Sequence, residues 1–460
     1  MKKIFKQAIV LVLFLGLMYG LSYAWRALPI ISGYGAKNLC TCVFVAGRTT
    51  ESVLNNELKT NALLSLGTFK LHLEDSSATG NVLGMVAKKA IYRRGLGCTL
   101  ISGITEAEVR NQPVHLNPIQ TPSDTLPWPY GTVDIEANFA NVDYAALNKA
   151  VADAFIENNP ERKINTRGVV VVYKDHVIAE KYAEGFDKDT PQIGWSMTKS
   201  ITATEVGMLV KDGKLDVMQP APLDLWKNDA RKDITIDQLL RMSSGLKWDE
   251  NYAGPSSATN MLFKSADMGA FAMKQPLAYT PDENWYYSSG TSNIISKIVR
   301  QTVGETEQQN FVRDRLFSPL GMTSAVIEPD ASGTYVGSSY MYATPRDWAK
   351  FGLLYLHDGV WNGQRLLSED WVKYVSTPTP KAPKGEYGAH FWLNAGEKGN
   401  PKNRYYPDAP QDIYSANGFE GQRVFIIPSK DMVIVRMGQT KGRGDFDFNA
   451  FLKNVLETVD

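Results

Sequence analysis

Residues 194–199 read Gly194-Trp195-Ser196-Met197-Thr198-Lys199 and fall between a predicted hairpin and a predicted helix. Upstream, residues 169–173 (VVVVY) and 177–182 (VIAEKY) flank a Lys174-Asp175 turn, the pattern of two short antiparallel strands. Downstream, Ile201, Val206 and Leu209 mark the apolar side of a helix that stops near Gly213. A serine and a lysine three positions apart on a helix share one face, so the lysine nitrogen can reach the serine oxygen. The first turn of a helix presents unpaired N–H groups and a positive dipole end. Both stabilise negative charge on the serine oxygen and disfavour a further positive charge on the lysine. A lysine in that position can take the serine proton, which one with a pKa of ~10.4 does not do near neutrality.

The spacing alone is weak, because Ser244-Gly245-Leu246-Lys247 repeats it. There Gly245 stands at the end of a helix predicted from the capping box Thr235/Gln238 and Leu239, Leu240 and Met242. The dipole has the wrong sign at a helix end, and a glycine breaks the face. Ser244 and Lys247 read as structural, Ser196 and Lys199 as chemical. No G-x-S-x-G elbow is present, since Thr198 stands where its second glycine belongs. The five histidines form no triad pattern, and H-E-x-x-H is missing.

Two further segments carry candidate chemistry. Tyr287-Ser288-Ser289-Gly290 lies in a loop ahead of a helix predicted over 292–303, where a phenol near the lysine can relay a proton to a leaving group. Ala416-Asn417-Gly418-Phe419-Glu420-Gly421-Gln422 enters a C-terminal hairpin of strands 423–427 and 432–437. Glycines there let backbone pass close to a ligand, and an N–H paired with that of Ser196 makes an oxyanion hole. Thr344-Pro345 with Asp347 starts another helix, and residues 448–459 read as a closing one. Strands at both ends with helices between them predict one sheet built from both ends, an α+β plan.

The remainder is organised more simply. Lys2, Lys3 and Lys6 precede an uncharged run from Ala8 to Trp25, closed by Arg26. This is a membrane anchor or a signal segment over residues 1–25, with the uncleaved anchor favoured although Ser22-Tyr23-Ala24 offers a cleavage pattern. Either way the basic flank stays in the cytoplasm and the rest is exported, inner-membrane anchored or secreted. Residues 26–130 form an extension ending in a proline-rich strap at 112–131, and residues 131–460 form the main domain. Of the three cysteines, either Cys40 or Cys42 can pair with Cys98, and too few ligands are present for a metal site. With 49 basic and 49 acidic residues the net charge is zero, which gives no reason to expect nucleic acid. The composition, 43% hydrophobic and 21% charged, is that of a folded globular chain.

Taken in order, Ser196-x-x-Lys199, Tyr287-Ser288-Ser289 and Ala416-Asn417-Gly418 resemble the motifs of the serine β-lactamase and penicillin-binding-protein superfamily. The likeness is to its class C β-lactamase-like branch and covers roughly residues 140–460. It implies an antiparallel sheet flanked by helices with a helical subdomain, here preceded by an N-terminal hydrophobic helix. It implies a serine hydrolase with an acyl-enzyme on Ser196, Lys199 and Tyr287 as its proton carriers, and oxyanion amides from Ser196 and Phe419. Ser289, Asn417 and Gly418 then fall on the substrate side, with Tyr252 as counterpart of a closing tyrosine. The resemblance implies no cofactor. Ala416 replaces a cationic residue and Ser289 an asparagine, departures shared with hydrolases of linear amides and esters such as 6-aminohexanoate-dimer hydrolases. A penicillin-binding D-peptidase or weak β-lactamase is the nearest alternative, and a non-catalytic membrane-tethered sensor is another.

Overall fold

The computed structural model describes residues 2–60, 62–442 and 444–460, without the Lys2 side chain. Its backbone groups into two compact units. The first comprises Met1–Gln112, Trp248–Phe271 and Pro329–Gly333, and the second the remaining residues.

In the first unit the apolar N-terminal run does not stop at residue 25. It continues as one helix, α1 (Lys2–Phe44), with Pro29 inside. Residues 3–26 are exposed, and from Ser32 onward the helix is mostly buried. Four strands account for that burial: β1 (Gly67–His72), β2 (Ser77–Val82), β3 (Met85–Arg93) and β4 (Gly97–Leu100) form an antiparallel meander against α1. Close approach is possible because small residues face each other: a Cβ on Gly80 would stand 2.4 Å from the Ser32 carbonyl oxygen, and the Phe69 ring fills the space beside Gly35. Cys40 bonds to Cys98, resolving the choice of partner, and Cys42 stays buried as a thiol. Buried Arg48 pairs with Glu57, and Phe44 stacks on Tyr92 at 5.2 Å.

The second unit carries the predicted sheet. Its strands are β5 (Thr166–Tyr173), β6 (His176–Tyr182), β9 (Trp392–Leu393), β10 (Tyr414–Gly418), β11 (Gln422–Ile427) and β12 (Met432–Gly438), in the order β9-β10-β11-β12-β5-β6, antiparallel throughout. The two ends of the chain meet in the register Val433↔Val172 and Val435↔Val170. Lys174 and Asp175 both take positive φ, as a two-residue hairpin turn requires. Val169 to Val172 are all fully buried because both faces of the sheet are covered. Helices α2 (Tyr144–Asp153) and α6 (Phe448–Leu456) bury Leu147, Val151, Leu452 and Val455 with Val169, Val171, Phe425 and Ile434 on one face. On the other lies α5 (Pro345–Leu356), where Gly352 admits Val424 and Val433 to its backbone.

Between these layers run α3 (Thr198–Lys211), α4 (Ser289–Val303) and two short strands, β7 (Gln192–Ile193) and β8 (Met341–Ala343), which pair. The capping box at Thr235 and Gln238 forms as read, but its helix ends at Leu240 rather than at Gly245. The proline-rich segment is a strap: Asn310 and Gln309 side chains bond the backbone of residues 113, 115 and 117 from both donor and acceptor sides.

Candidate active site

The Gly194–Ser196 turn is fixed before any side chain acts. The Gly194 amide donates to the Met341 carbonyl at 2.8 Å, and Thr198 Oγ1 bridges the Trp195 carbonyl and the Met341 amide. Gly194 is pressed on two sides. A Cβ there would meet the Trp348 ring at 2.4 Å, and the Gly194 carbonyl oxygen lies 2.1 Å from where a Cβ on Gly418 would stand. Trp195 takes φ +47°, a left-handed conformation that costs a bulky residue energy and is held by its buried ring, 6.0 Å from Phe419 and 6.2 Å from Tyr340. Trp195–Met197 form one 3-10 turn leading into α3, which leaves Ser196 half-buried at the helix N-terminus.

Lys199 is 1% exposed. Its Nζ donates to Ser196 Oγ at 3.1 Å, Ser289 Oγ at 2.9 Å and the Ser338 carbonyl at 2.9 Å, all uncharged acceptors. Tyr287 presents its ring to the same nitrogen, 4.9 Å from the centroid. The nitrogen is thus buried against neutral oxygens, a setting in which an ammonium ion carries a desolvation cost. A neutral amine still has two N–H bonds for Ser289 and Ser338, which leaves its lone pair for the Ser196 hydroxyl.

Each partner is itself located by its element. Ser289 opens α4, whose N-cap Ser288 accepts from the Thr291 amide at 3.2 Å. Ser289, expected on the substrate side, is wholly buried and its Oγ accepts from Lys199 Nζ at 2.9 Å. Residues 337–339 thread between α3 and α4: Thr202 Oγ1 donates to the Gly337 carbonyl, and Asn293 Nδ2 donates to Ser338 Oγ. The Tyr287 loop hangs on Met242, whose carbonyl accepts from the Tyr286 amide and whose sulfur accepts from the Ser288 amide. Tyr287 packs among Trp285, Tyr387 and Trp392. Ser244 and Lys247 lie in irregular backbone around Gly245 (φ +74°), as their sequence suggested.

The third segment completes the rim. Asn417 and Gly418 end β10 beside the Ser196 turn, and Phe419 is 46% exposed. Asn417 Oδ1 is buried without a hydrogen-bond partner. The following turn, with Glu420 at φ +60°, is fastened from below by Arg436, fully buried. Its guanidinium donates to the Gly421 and Ile164 carbonyls and to the Thr166 and Thr440 hydroxyls, and burial pushes it down to about 9. Tyr252 belongs to the first unit, where its hydroxyl donates to Glu250 at 2.8 Å.

One contributor had no sequence signal. His390 receives a hydrogen bond from Ser200 on its carbonyl and shares one between Nε2 and Ser292 at 2.7 Å, tying α3 to α4 behind the lysine. Burial holds its pKa well below the ordinary histidine value, and Lys199 when protonated lowers it further, so it stays neutral.

The chain and its fold have counterparts. The beta-lactamase family model matches residues 151–456, from α2 through α6. The chain belongs to the beta-lactamase family. Within this family of serine hydrolases it is similar to the 6-aminohexanoate-dimer hydrolase of Paenarthrobacter ureafaciens, at 25% identity over 59% of this chain and 72% of that one. Among solved structures it resembles a family VIII carboxylesterase (TM-score 0.54, 16% identity, 71% of this chain and all of that one). A penicillin-binding-protein homologue from Caulobacter crescentus gives TM-score 0.53 at 16% identity, over 69% and 97% of the two chains. At such identities the structural likeness is one of fold.

Proposed function

We propose that this member of the beta-lactamase family cleaves a linear amide or ester through an acyl-enzyme on Ser196. The observation that carries the reading is Lys199, buried and hydrogen-bonded to Ser196 Oγ and two other neutral oxygens. Ser196 attacks the substrate carbonyl as its proton passes to Lys199, and a C–O bond forms to a tetrahedral oxyanion. The amides of Ser196 and Phe419 hold that oxygen. The proton returns through Lys199 and Tyr287 to the departing amine or alcohol as its bond to the carbonyl carbon breaks. Water then attacks the acyl-enzyme by the same route in reverse, releasing the acid and restoring Ser196. Asn417 and Gly418 line the substrate side. Ala416, fully buried, offers no cation for a substrate carboxylate, which favours linear amides and esters over β-lactams and cell-wall peptides.

The same reading places the second unit outside the cytoplasm, on an anchor formed by α1. Its exposed, uncharged run from Ala8 to Trp25 is close to the ~20 residues needed to span a bilayer, and a disulfide at Cys40–Cys98 fits an oxidising compartment. Turnover of short-chain esters and amides tests the chemistry. Ser196→Ala abolishes hydrolysis while the circular dichroism spectrum and melting curve stay unchanged, whereas retained hydrolysis in that variant refutes the assignment. Lasting penicillin adducts on Ser196 would redirect it toward the D-peptidase reading.

A further inference from the structure

We infer that one end of the four-stranded sheet is a membrane-seating surface, with residues 62–66 and 83–87 resting in the headgroup boundary of the phospholipid bilayer that α1 crosses. The inference rests on the anchor reading above and extends it to a surface outside the helix.

The two segments, Ala62-Leu63-Leu64-Ser65-Leu66 and Leu83-Gly84-Met85-Val86-Ala87, contain no charge. They are neighbours, because Gly67 pairs with Val82 and Val82 with Met85. Leu63, Leu66, Leu83 and Met85 are 57%, 48%, 69% and 44% exposed. A water-facing hairpin turn takes Asn-Gly or Asp-Gly at its two left-handed positions. Here Leu83 (φ +52°) and Gly84 (φ +73°) occupy them, so the fold keeps a strained backbone in order to hold a leucine outward. Two exposed apolar tips side by side, one of them strained, are not the ordinary scatter of single surface leucines.

Their height along α1 identifies the occupant. The opposite end of the sheet is level with the end of the helix: Cys98 bonds to Cys40, and Tyr92 stacks on Phe44. Gly80 abuts Ser32 and Ala36. From Gly80 to the Leu83 turn is three residues of strand, about 10 Å, which matches some six or seven helical residues. The tip is therefore level with about residue 27 of α1. That is where the exposed apolar run of the helix ends, next to Arg26. Lys70 and Lys88 sit on the strands just above the tips, paired with Thr79 and Gly80, and Lys59 precedes the first segment. Apolar tips with a basic band one step further out fit acyl chains below anionic headgroups. The turn at the far end reads Leu73-Glu74-Asp75-Ser76 and carries carboxylates instead.

The test places nitroxide labels, one at a time, on the full chain reconstituted in phosphatidylethanolamine/phosphatidylglycerol vesicles, using Leu83→Cys, Leu66→Cys, Leu73→Cys and Leu15→Cys. Electron paramagnetic resonance then compares relaxation by oxygen, which enters lipid, with that by a water-soluble nickel chelate. Labels at 83, 66 and 15 are expected to respond to oxygen and to be shielded several-fold from nickel, while that at 73 responds to nickel. If 15 lies in lipid and 83 and 66 respond to nickel like 73, the seating surface is refuted and the anchor stands. If 83 and 66 are shielded from both relaxants, another protein surface covers them and the inference fails. If 15 itself responds to nickel, the anchor reading falls and takes this one with it.

Discussion

At the scale of single residues, the site turns on how Lys199 is satisfied. Lys199→Met removes the proton acceptor and is expected to lower kcat by roughly 10³-fold or more, in line with general-base losses. Ser289→Ala removes one acceptor but leaves Ser196 and the Ser338 carbonyl in place, so a smaller loss of about tenfold is expected, with the acid limb of the pH–rate profile displaced. Two buried groups shape stability against pH in opposite senses. His390 is held neutral in the folded chain, while the unfolded chain takes up a proton near pH 6.5. Its contribution is present above that pH and is lost as pH falls toward the depressed folded value, so His390→Gln flattens the acid limb of a melting-temperature profile. Glu205, fully buried in α3, is pushed up to about 8 by desolvation. Its burial costs nothing below about pH 4.5 and progressively more up to pH 8, so Glu205→Gln raises the melting temperature by a few degrees at pH 8 and by less at pH 5. The pair Ser196 and Lys199 was legible because both lie in one helical turn. Ser338 was not, since it acts through a carbonyl, and His390 joins Ser200 from 190 positions away.

At the scale of elements, local chemistry explains what was readable. Both hairpins of the large sheet, the caps at Thr235 and Thr344 and the closing helix follow from turn residues and periodicity, which act over a few positions. Helix α4 begins at Ser289 rather than 292, because the cap is Ser288 and the motif itself forms the first turn. The proposed oxyanion rim depends on a contact no pattern announces, the Gly418 backbone on the Gly194 carbonyl. Gly418→Ala places a Cβ 2.1 Å from that oxygen, so the strand must shift. A fall in kcat of about 10²-fold is expected, the size of a lost oxyanion donor, with KM changed far less. Steady-state kinetics on an ester substrate checks the split. Arg436→Met would strip the Gly421 carbonyl of its donor, leave the Ile164 carbonyl to Thr440 Oγ1 alone and should cost about 3 kcal/mol in urea unfolding.

For the molecule as a whole, the fold is legible in the sequence where one family pattern spans it and not where that pattern is missing. Residues 26–110 carry no catalytic motif, and the buried part of α1 mixes Gly33, Gly35, Lys37 and Asn38 without an apolar stripe. Its burial comes from a sheet wrapped on several sides, which hydrophobic periodicity does not encode. Nor could local signals assign Trp248–Phe271 and Pro329–Gly333 to the first unit, since their partners are distant in sequence. The disulfide closes a separation of 58 residues, so Cys40→Ser is expected to destabilise that unit by about 4 kcal/mol in a reductant-sensitive melt. The central claim remains the activated serine. Its most direct test is mass spectrometry of the full chain after treatment with a fluorophosphonate. One adduct, on the peptide containing Ser196 and lost in Lys199→Met, is the predicted result; labelling elsewhere, or of Ser196 at an equal rate without the lysine, would contradict the account.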